Sequence, residues 1–450
     1  MKKQILISTL ALASLLPLAA DGGIEFSSTL ETQWGIGAPW TDSEDCAGRF
    51  SLGSTSLTGK LDAYYGNSSA FAELTFSHDA LDGDFFSDGL SISLGELWID
   101  YTDSFWGVRV GRQKAAWGKA DGIDITNVLC PSDMSSFSSM ISDDGKLAVD
   151  AIRLSFNGNS FTADAWWIPF FTPASLPLNE GNSLRKFVVP QNVEYPVPSL
   201  GTTLNLPVTI GNLEKPELAL WNGEYGLKLS GYFSAFDVSL YGFYGWDDIP
   251  LLDYTLTDSN GDFTPDGISI GAEYKRMGMV GADAALPLGE IVLRLETAFF
   301  PMRHFQKSAE SIIGEKMISG DPSTSEKHNQ LSALAGVDWM PSGWTLTAQY
   351  YCDVVFGDID SLERSDSYEH GATLSVSKSL VNETLELSLA GIIGLNDFDS
   401  MISPSVKYSL SDQITLSGGA YIFLPGPSRD GKYGAYKDLS TIYLDAKFSF

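Results

Sequence analysis

The sequence has no long hydrophobic run beyond its first twenty residues. A helix needs roughly 18 or more apolar residues in succession to cross a bilayer, so a protein that spans a membrane through helices is excluded. Cysteine is also scarce, since Cys46, Cys130 and Cys352 are odd in number and widely spaced. They form no CxxC or Cys/His metal spacing, and the sequence leaves open which of them, if any, pair in an oxidising compartment.

Positive charge and catalytic patterns are lacking as well. The chain has 28 Lys and Arg residues against 57 Asp and Glu residues, for a formal net charge of -29. This surplus of acid argues against nucleic acid as a partner, and it disfavours anionic solutes relative to cations and neutral molecules. Only four histidines occur, and no pattern assembles a nucleophile, a base and a group that orients the base. We therefore expect no enzymatic activity and assign no catalytic residue.

The N-terminus has the order of a secretory signal. Two lysines precede an apolar run over residues 5–18, and the small residues Ala19 and Ala20 follow. The run is shorter than the roughly 20 residues of a spanning helix. We predict that residues 1–20 are a cleaved signal peptide and that residues 21–450 are one exported domain.

What the sequence does have is glycine, aromatic residues and strict alternation. Glycine contributes 44 residues, aromatic side chains make up 12% of the chain, and the mean hydropathy is near zero. Such a composition is typical of a barrel with lipid outside and water inside. The last strand ends in an aromatic residue, which resembles the signal that the barrel-assembly machinery recognises. We therefore expect that machinery to be a partner through Phe450, on an apolar face made of Ile442, Leu444, Ala446, Phe448 and Phe450.

The same period-two alternation recurs along the whole chain and predicts the fold. We predict an all-β, transmembrane, antiparallel up-and-down β-barrel of about 18 strands, with short periplasmic turns and long extracellular loops, in the lipid of the outer membrane. Keeping short turns and long loops in alternation requires residues 267–286 to be one long strand and Gly95 to be a bulge. The predicted strands begin near residues 24, 50, 69, 90, 105, 147, 160, 222, 236, 267, 290, 330, 343, 368, 383, 401, 413 and 440.

The most distinctive segment covers residues 108–133. It runs off the end of a strand with a GRQ-x-x-x-WG stretch and continues into a long loop that carries a proline and an aspartate. This segment resembles a family of largely uncharacterised, porin-like outer-membrane β-barrel proteins, distantly similar to alginate-export-type porins. The resemblance implies a barrel that transports a solute, and the matched residues are Gly111, Arg112, Gln113, Trp117 and Gly118.

Charged residues on the predicted inner face are candidates for the lining of a pore. Arg109 and Arg153 lie on neighbouring strands, and their parity turns both toward the lumen. Set against inward acids, they would produce a transverse field at a constriction. An equally weighted alternative is a structural ladder of charges, because lumen charges are expected in any such barrel. The full candidate set is Arg109, Arg153, Glu73, Glu96, Asp100, Asp164, Lys228, Arg294 and Glu296.

Two long loops carry further hypotheses. Residues 170–221 are rich in proline, and loops of this length are usually functional or disordered. We expect a gate that covers the mouth or enters the lumen, with a surface shield or an adhesive segment as the alternative. Residues 258–267 place oxygen ligands at alternate positions, which suits a hard cation such as Ca²⁺. Phe263 stands where an EF-hand has glycine, so any site would be a looser one. Its candidate ligands are Asp258, Asn260, Asp262 and Asp266, and no other cofactor is expected.

These features favour a channel. A barrel of about 18 strands encloses a lumen wide enough for small solutes. We predict an outer-membrane porin-like channel for passive or substrate-selective passage, with cations or neutral molecules preferred. The alternative is a surface-exposed structural or adhesion barrel whose long loops bind a partner.

Overall fold

The computed structural model describes residues 22–38, 46–81, 89–136, 139, 145–178, 184–189, 191–197, 202–259, 261, 264–319 and 323–450. The predicted signal peptide, residues 1–20, lies outside this part of the chain. Among the described residues, no helix has both the length and the apolar content to cross a bilayer.

The strands form an 18-stranded antiparallel barrel and a separate four-stranded sheet. Each barrel strand pairs with the next barrel strand along the chain, and the first and last strands close the cylinder from Thr29 opposite Ser449 to Gly37 opposite Thr441. The predicted fold class and strand number are confirmed. The strands are β1 (Gly22–Gly37), β2 (Phe50–Tyr65), β3 (Ser68–Asp79), β4 (Leu90–Thr102), β5 (Trp106–Gln113), β6 (Val149–Asn157), β7 (Phe161–Ile168), β8 (Asn192–Val197), β9 (Thr202–Glu214), β10 (Glu224–Tyr232), β11 (Asp237–Trp246), β12 (Leu251–Thr257), β13 (Gly267–Glu273), β14 (Arg276–Leu288), β15 (Ile291–Gln306), β16 (Ser325–Trp339), β17 (Trp344–Phe356), β18 (Tyr368–Leu380), β19 (Leu385–Gly394), β20 (Ser400–Ser409), β21 (Ile414–Leu424) and β22 (Thr441–Ser449).

Short turns gather at one end of the barrel and long loops at the other. We call these the short-turn end and the long-loop end. The turns between β2 and β3 and between β14 and β15 span two residues each, whereas the β7 to β10 connection spans residues 169–223. The predicted bulge is also present, because the β3–β4 register shifts between Ala72 and Leu74, opposite Gly95.

The prediction of one long strand over residues 267–286 is wrong. The segment is two strands, since β13 ends at Glu273 and β14 begins at Arg276. Only β14 belongs to the barrel, where it pairs with β11 and β15. Because the two strands keep the same parity across the break, alternation alone does not reveal it. β13 instead pairs with β9 and β12 outside the barrel.

The four-stranded sheet, in the order β12, β13, β9, β8, stands at the long-loop end. The described residues form three short α-helices, α1 (Arg185–Val188), α2 (Ala309–Ser319) and α3 (Gly431–Gly434), and α2 packs on this sheet. Ile312 and Ile313 of α2 are buried together with apolar residues of the sheet, which gives this cap a small core of its own. The members of that core are Leu206, Tyr254, Ile268, Ile270, Ile312 and Ile313.

The outward face of the barrel is apolar and the inward face is largely polar. Leu227 and Leu229 of β10 and Leu293 and Leu295 of β15 are exposed on the outside, as in a wall that contacts lipid. The largest buried cluster lies on the inward faces of β7, β11, β14, β15 and β16. A hydrophobic core inside a barrel needs a segment of chain to cover it, and the β5–β6 loop supplies that segment.

Candidate functional site in the lumen

The loop between β5 and β6 folds into the lumen. We call its described part, residues 114–136 and 145–148, the inward loop. Its side chains bury themselves against apolar residues that the barrel wall turns inward, which removes both sets from water. The loop contributes Ala115, Trp117, Ile125, Leu129 and Cys130, and the wall contributes Trp166, Ile168, Tyr241, Phe243, Met277, Met279, Ala298, Phe300 and Leu334.

One carboxylate of the wall holds the inward loop by its backbone. Glu296 of β15 accepts hydrogen bonds from the backbone N–H groups of Lys119 at 2.6 Å, Ala120 at 2.8 Å and Thr126 at 2.8 Å. The Thr126 hydroxyl donates a fourth, at 2.7 Å. Glu296 is only 3% exposed. A buried carboxylate that accepts several charge-assisted hydrogen bonds fixes its donors firmly, so Glu296 positions the loop across the lumen.

Neighbouring wall residues add to this attachment. Arg294 donates to the Lys119 carbonyl at 2.7 Å. The amide of Gln349 on β17 pairs with the Asp121 backbone in both directions, at 3.0 and 2.8 Å. On β11, Tyr241 donates to Asp283 and accepts from the Gly118 backbone N–H. The loop is therefore held by side chains of three barrel strands, β11, β15 and β17.

Both glycines of the GRQ-x-x-x-WG stretch have a positive φ and lie in close contact with another residue. Gly118 has φ +89°, and a Cβ there would lie 2.4 Å from an oxygen of Glu296. Gly111 has φ +131°, and its Cβ would lie 2.3 Å from the Leu97 carbonyl oxygen. The positive φ is costly for residues with a Cβ, and the contact excludes one sterically. Gly111 lets β5 approach the β4 backbone closely, and Gly118 lets the inward loop approach the Glu296 carboxylate.

The other three matched residues have different surroundings. Trp117 is buried in the lumen core with its ring centroid 5.1 Å from that of Tyr241. Gln113 is completely buried, and its side-chain amide donates to the Ala151 carbonyl at 3.0 Å. Arg112 forms an ion pair with Asp150 on β6 at 3.2 Å. Trp117 and Gly118 thus position the inward loop, whereas Gly111, Arg112 and Gln113 join β5 to its neighbouring strands.

Arg109 and Arg153 are direct cross-strand neighbours on the inner wall. Arg109 pairs with Asp100 on one side at 3.0 Å, and Arg153 pairs with Asp164 on the other at 2.8 Å. The Arg109 guanidinium also lies over the Trp98 ring, 3.7 Å from its centroid. The four charges form a row of acid, base, base, acid along one wall. This row borders a cavity of about 150 Å³ lined by Asp100, Thr102, Arg109, Arg153, Ser155 and Asn157.

The remaining candidates for the pore lining are spread along the wall. Glu73 pairs with Lys60 at 3.1 Å, and Glu96 accepts from the Lys114 backbone N–H at 2.8 Å. Lys228 donates to the Ala116 carbonyl at 3.3 Å. Glu96 and Lys228, like Arg294 and Glu296, therefore contact the inward loop, whereas Glu73 and the Arg109–Arg153 row pair with other residues of the wall. Their role in permeation stays a prediction.

A second segment from the long-loop end reaches the opposite wall. We call residues 169–178 and 184–189, which follow β7, the strap. Near β7, Ser175 pairs with Asp133 of the inward loop. At its far end, Leu184 is 2% exposed in a cluster with Leu52 of β2, Phe423 of β21 and Tyr443 of β22. Since β7 and these strands lie on different sides of the cylinder, the strap crosses the mouth.

Comparisons with a protein-family model and with solved structures both found matches to this chain. Residues 56–422 match the model of a family described as a protein of unknown function, DUF1302. The chain belongs to the DUF1302 family. No curated protein matches this DUF1302 chain in sequence. The expected similarity to alginate-export-type porins stays a prediction.

Solved structures match the DUF1302 chain over nearly its whole length. OccAB1 of Acinetobacter baumannii has a TM-score of 0.53 at 10% identity, covering 95% of this chain and 96% of that one. OccAB3 of the same organism has a TM-score of 0.51 at 9% identity, with 96% and 100% covered. Identities this low show the fold alone, which is the closed barrel of outer-membrane porins.

The calcium hypothesis falls partly outside the described residues. Asn260 and Asp262 lie outside the residues that the structure describes. Asp266 accepts hydrogen bonds from the backbone and hydroxyl of Ser259, at 2.9 and 3.2 Å, and Asp258 accepts from the Gly261 N–H at 2.7 Å. Within the described part, no group of three or more His, Cys, Asp or Glu residues is placed to hold a metal. The calcium loop stays a prediction.

The cysteines and a GxSxG sequence both lie in surroundings that do not suit a reactive site. Cys46, Cys130 and Cys352 are free thiols, and burial raises the pKa of the Cys130 thiol to about 11, where it accepts from the Ala115 N–H. The run from Gly267 to Gly271 has a GxSxG spacing, but it lies within β13. A hydrolase nucleophile stands instead on a sharp turn between a strand and a helix.

The sequence analysis missed the residues that hold the inward loop and the strap. Tyr241, Asp283, Gln349 and Thr126 were not singled out, and neither was Leu184. A signal for the inward loop was present, since β11 and β14 turn apolar side chains inward as well as outward. A water-filled lumen favours polar residues on that face, so apolar residues on both faces indicate a segment packed inside.

Proposed function

We propose that this protein is an outer-membrane porin-like channel for small solutes, without catalytic activity, in which the inward loop sets the aperture. The observation that carries the proposal is the attachment of that loop inside a closed barrel, through the four hydrogen bonds to Glu296. A loop fixed to one wall would narrow a wide lumen, and we expect the remaining path to run past the Arg109–Arg153 row. Export through a signal peptide at residues 1–20 would bring the chain to that membrane.

The charges of the Arg109–Arg153 row support passage of cations or neutral solutes. Arg109 and Arg153 are the inward cations nearest the cavity, and Asp100 and Asp164 pair with them. Because each arginine is offset by its acid, the strong negative charge of the whole chain, -29, dominates the long-range field. Substrate-selective rather than merely passive passage would follow if the row contacts the solute.

Planar-bilayer recording of the refolded protein tests the proposal. Single-channel conductance and the reversal potential in a salt gradient are measured for the wild type and for Arg109→Ala combined with Arg153→Ala. Removing both arginines leaves Asp100 and Asp164 unpaired, so the reversal potential is expected to shift toward stronger cation selectivity. The matched control is Arg429→Ala, which removes a cation that pairs with Asp366 and Asp397 in the long loops.

Two results would overturn parts of the proposal. Absence of conductance from protein shown to be folded contradicts an open channel. Conductance with a reversal potential that the double variant and the control leave equally unchanged removes the arginine row from the permeation path, and it favours the structural ladder of charges.

The alternative function, a surface barrel whose loops bind a partner, has one observation in its favour. The cap formed by β8, β9, β12, β13 and α2 has its own buried core at the long-loop end. A folded unit of that kind presents a fixed surface to the exterior. This alternative gains weight if folded protein fails to conduct.

A further inference from the structure

The three most exposed large apolar side chains of the described residues lie within four positions of one another. Leu218 is 79% exposed, Leu220 72% and Trp221 75%. They belong to the turn of residues 217–223 that joins β9 to β10. Large apolar patches on a protein surface mark sites of interaction with a partner or a membrane.

This turn is fixed in place by polar contacts. The Asn222 side chain donates to the Glu217 carbonyl at 2.9 Å, and Trp246 donates from its ring to the Asn222 carbonyl at 3.0 Å. Arg276 donates to the carbonyls of Gly223 at 3.0 Å and Trp221 at 3.2 Å. The apolar side chains are therefore held outward by an ordered backbone.

The anchoring residues locate the turn on the outside of the barrel. Arg276 is the register partner of Trp246 and shares the parity of Val280, which is exposed on the outer face. The Arg276 guanidinium lies over the Trp246 ring at 4.1 Å and over the Tyr244 ring at 5.3 Å. A turn whose carbonyls bind outward side chains lies against the outer wall and not over the lumen.

We propose that the turn of residues 217–223 inserts Leu218, Leu220 and Trp221 into the outer leaflet of the membrane at the level of the headgroups. The surrounding side chains, Trp246 and Tyr244 with Arg276, are the types that concentrate at a membrane interface. The apolar face of β10, which begins with Tyr225, continues directly from the turn into the lipid-facing wall. Continuity with that wall favours lipid as the occupant over a second copy of the chain. The proposal goes beyond the channel function and needs only the barrel to be in a bilayer.

Nitroxide accessibility tests this placement. The full chain, with its three cysteines replaced by Ser, carries a spin label at Leu220→Cys in vesicles of phosphatidylcholine and phosphatidylglycerol. Matched labels at Leu227→Cys and Ser259→Cys report the lipid-facing wall and an exposed loop. We expect the oxygen-to-nickel accessibility ratio of the Leu220 label to lie between those of the Leu227 and Ser259 labels, as for a site at the headgroups.

Two outcomes contradict the proposal. Nickel accessibility equal to that of the Ser259 label places the turn in water. Dipolar broadening that disappears on dilution with unlabelled protein places it against a second copy. The variant Leu218→Ser, Leu220→Ser, Trp221→Ser is expected to keep the wild-type conductance, so failure of the lipid contact and failure of the channel function are told apart.

Discussion

At the residue scale, Gly118 shows how a carboxylate on a distant strand restricts which amino acid can occupy a position of the inward loop. Both its positive φ and the close approach of Glu296 disfavour a side chain at this position. A second glycine with a positive φ but no close contact separates the two effects. Gly122, in the same loop, has φ +69° with nothing within 4 Å of its Cβ position. The pair therefore offers the same backbone conformation with and without the steric contact.

We predict that Gly118→Ala releases the inward loop and that Gly122→Ala does not. Both substitutions incur the backbone cost of a positive φ, about 1–2 kcal/mol. Only Gly118→Ala also pushes Glu296 away, which breaks its hydrogen bonds to three backbone N–H groups. Leaving these buried groups without a partner costs roughly a further 1–3 kcal/mol. Hydrogen exchange of the amides of residues 119, 120 and 126 is expected to accelerate in the first variant. Equal exchange in both variants would contradict the role of Glu296.

A titration is also predicted beside the strap, at Asp248, whose backbone carbonyl accepts a hydrogen bond from the Ala174 N–H at 3.0 Å. Burial and the neighbouring Asp247 raise the pKa of Asp248 to about 6, while Lys146 and Arg303 oppose the shift. An acid with a raised folded pKa binds its proton more tightly when folded. Its stabilising contribution is therefore present below its ordinary pKa of 3.8 and is lost as the pH rises to about 6.

Asp248→Asn is expected to be more stable than the wild type at pH 7.5, by about 2 kcal/mol after allowance for screening. The difference should vanish at pH 3.5, where both proteins are neutral at this position. Urea unfolding of the refolded proteins at the two pH values measures it, with the exposed Asp412→Asn as control. A difference that is the same at both pH values would assign the effect to packing instead of ionisation.

At the element scale, the barrel was predictable because each strand has one face toward lipid. Period-two alternation reveals that contrast, and it predicted the barrel strands apart from the start of β14. The sequence pattern did not reveal the break between β13 and β14, because the two strands keep the same parity although they pair with different strands. The inward loop and the strap escaped for a related reason, since the contacts of Glu296 and Leu184 join residues far apart in sequence. The local pattern of β11 and β14 indicates that some segment covers their inward apolar residues, but it does not identify which segment or which contacts hold it.

The strap gives the prediction at this scale. Leu184→Ala combined with Phe187→Ala removes apolar groups that pack against Leu52, Phe423 and Tyr443 on the far wall. Each buried truncation costs about 2–5 kcal/mol where the site cannot collapse, so the far end of the strap is expected to detach. Single-channel records should then show a higher mean conductance or more frequent open steps. Phe398→Ala, which truncates an exposed aromatic residue of another long loop, is the control, and conductance equal to that control would show that the strap does not limit flow.

At the scale of the whole molecule, closure joins the two ends of the described chain. Phe450 exchanges backbone hydrogen bonds with Ser28 of β1, at 2.7 and 2.9 Å. Its ring lies 5.3 Å from that of Phe448. The same residue therefore has a structural part in closing the cylinder and a proposed part as the signal to the barrel-assembly machinery, and the two parts predict different losses.

Deletion of Phe450 separates them. Closure alone accounts for two backbone hydrogen bonds, worth about 2 kcal/mol in total, and that loss should be equal in detergent and in cells. Recognition acts only in cells. We therefore expect the deletion to lower the amount of heat-modifiable barrel in the outer membrane well beyond its effect on refolding yield in detergent, whereas Phe450→Tyr should keep both. If the two yields fall in parallel, Phe450 acts through the β1–β22 seam and the assembly machinery reads another part of the strand.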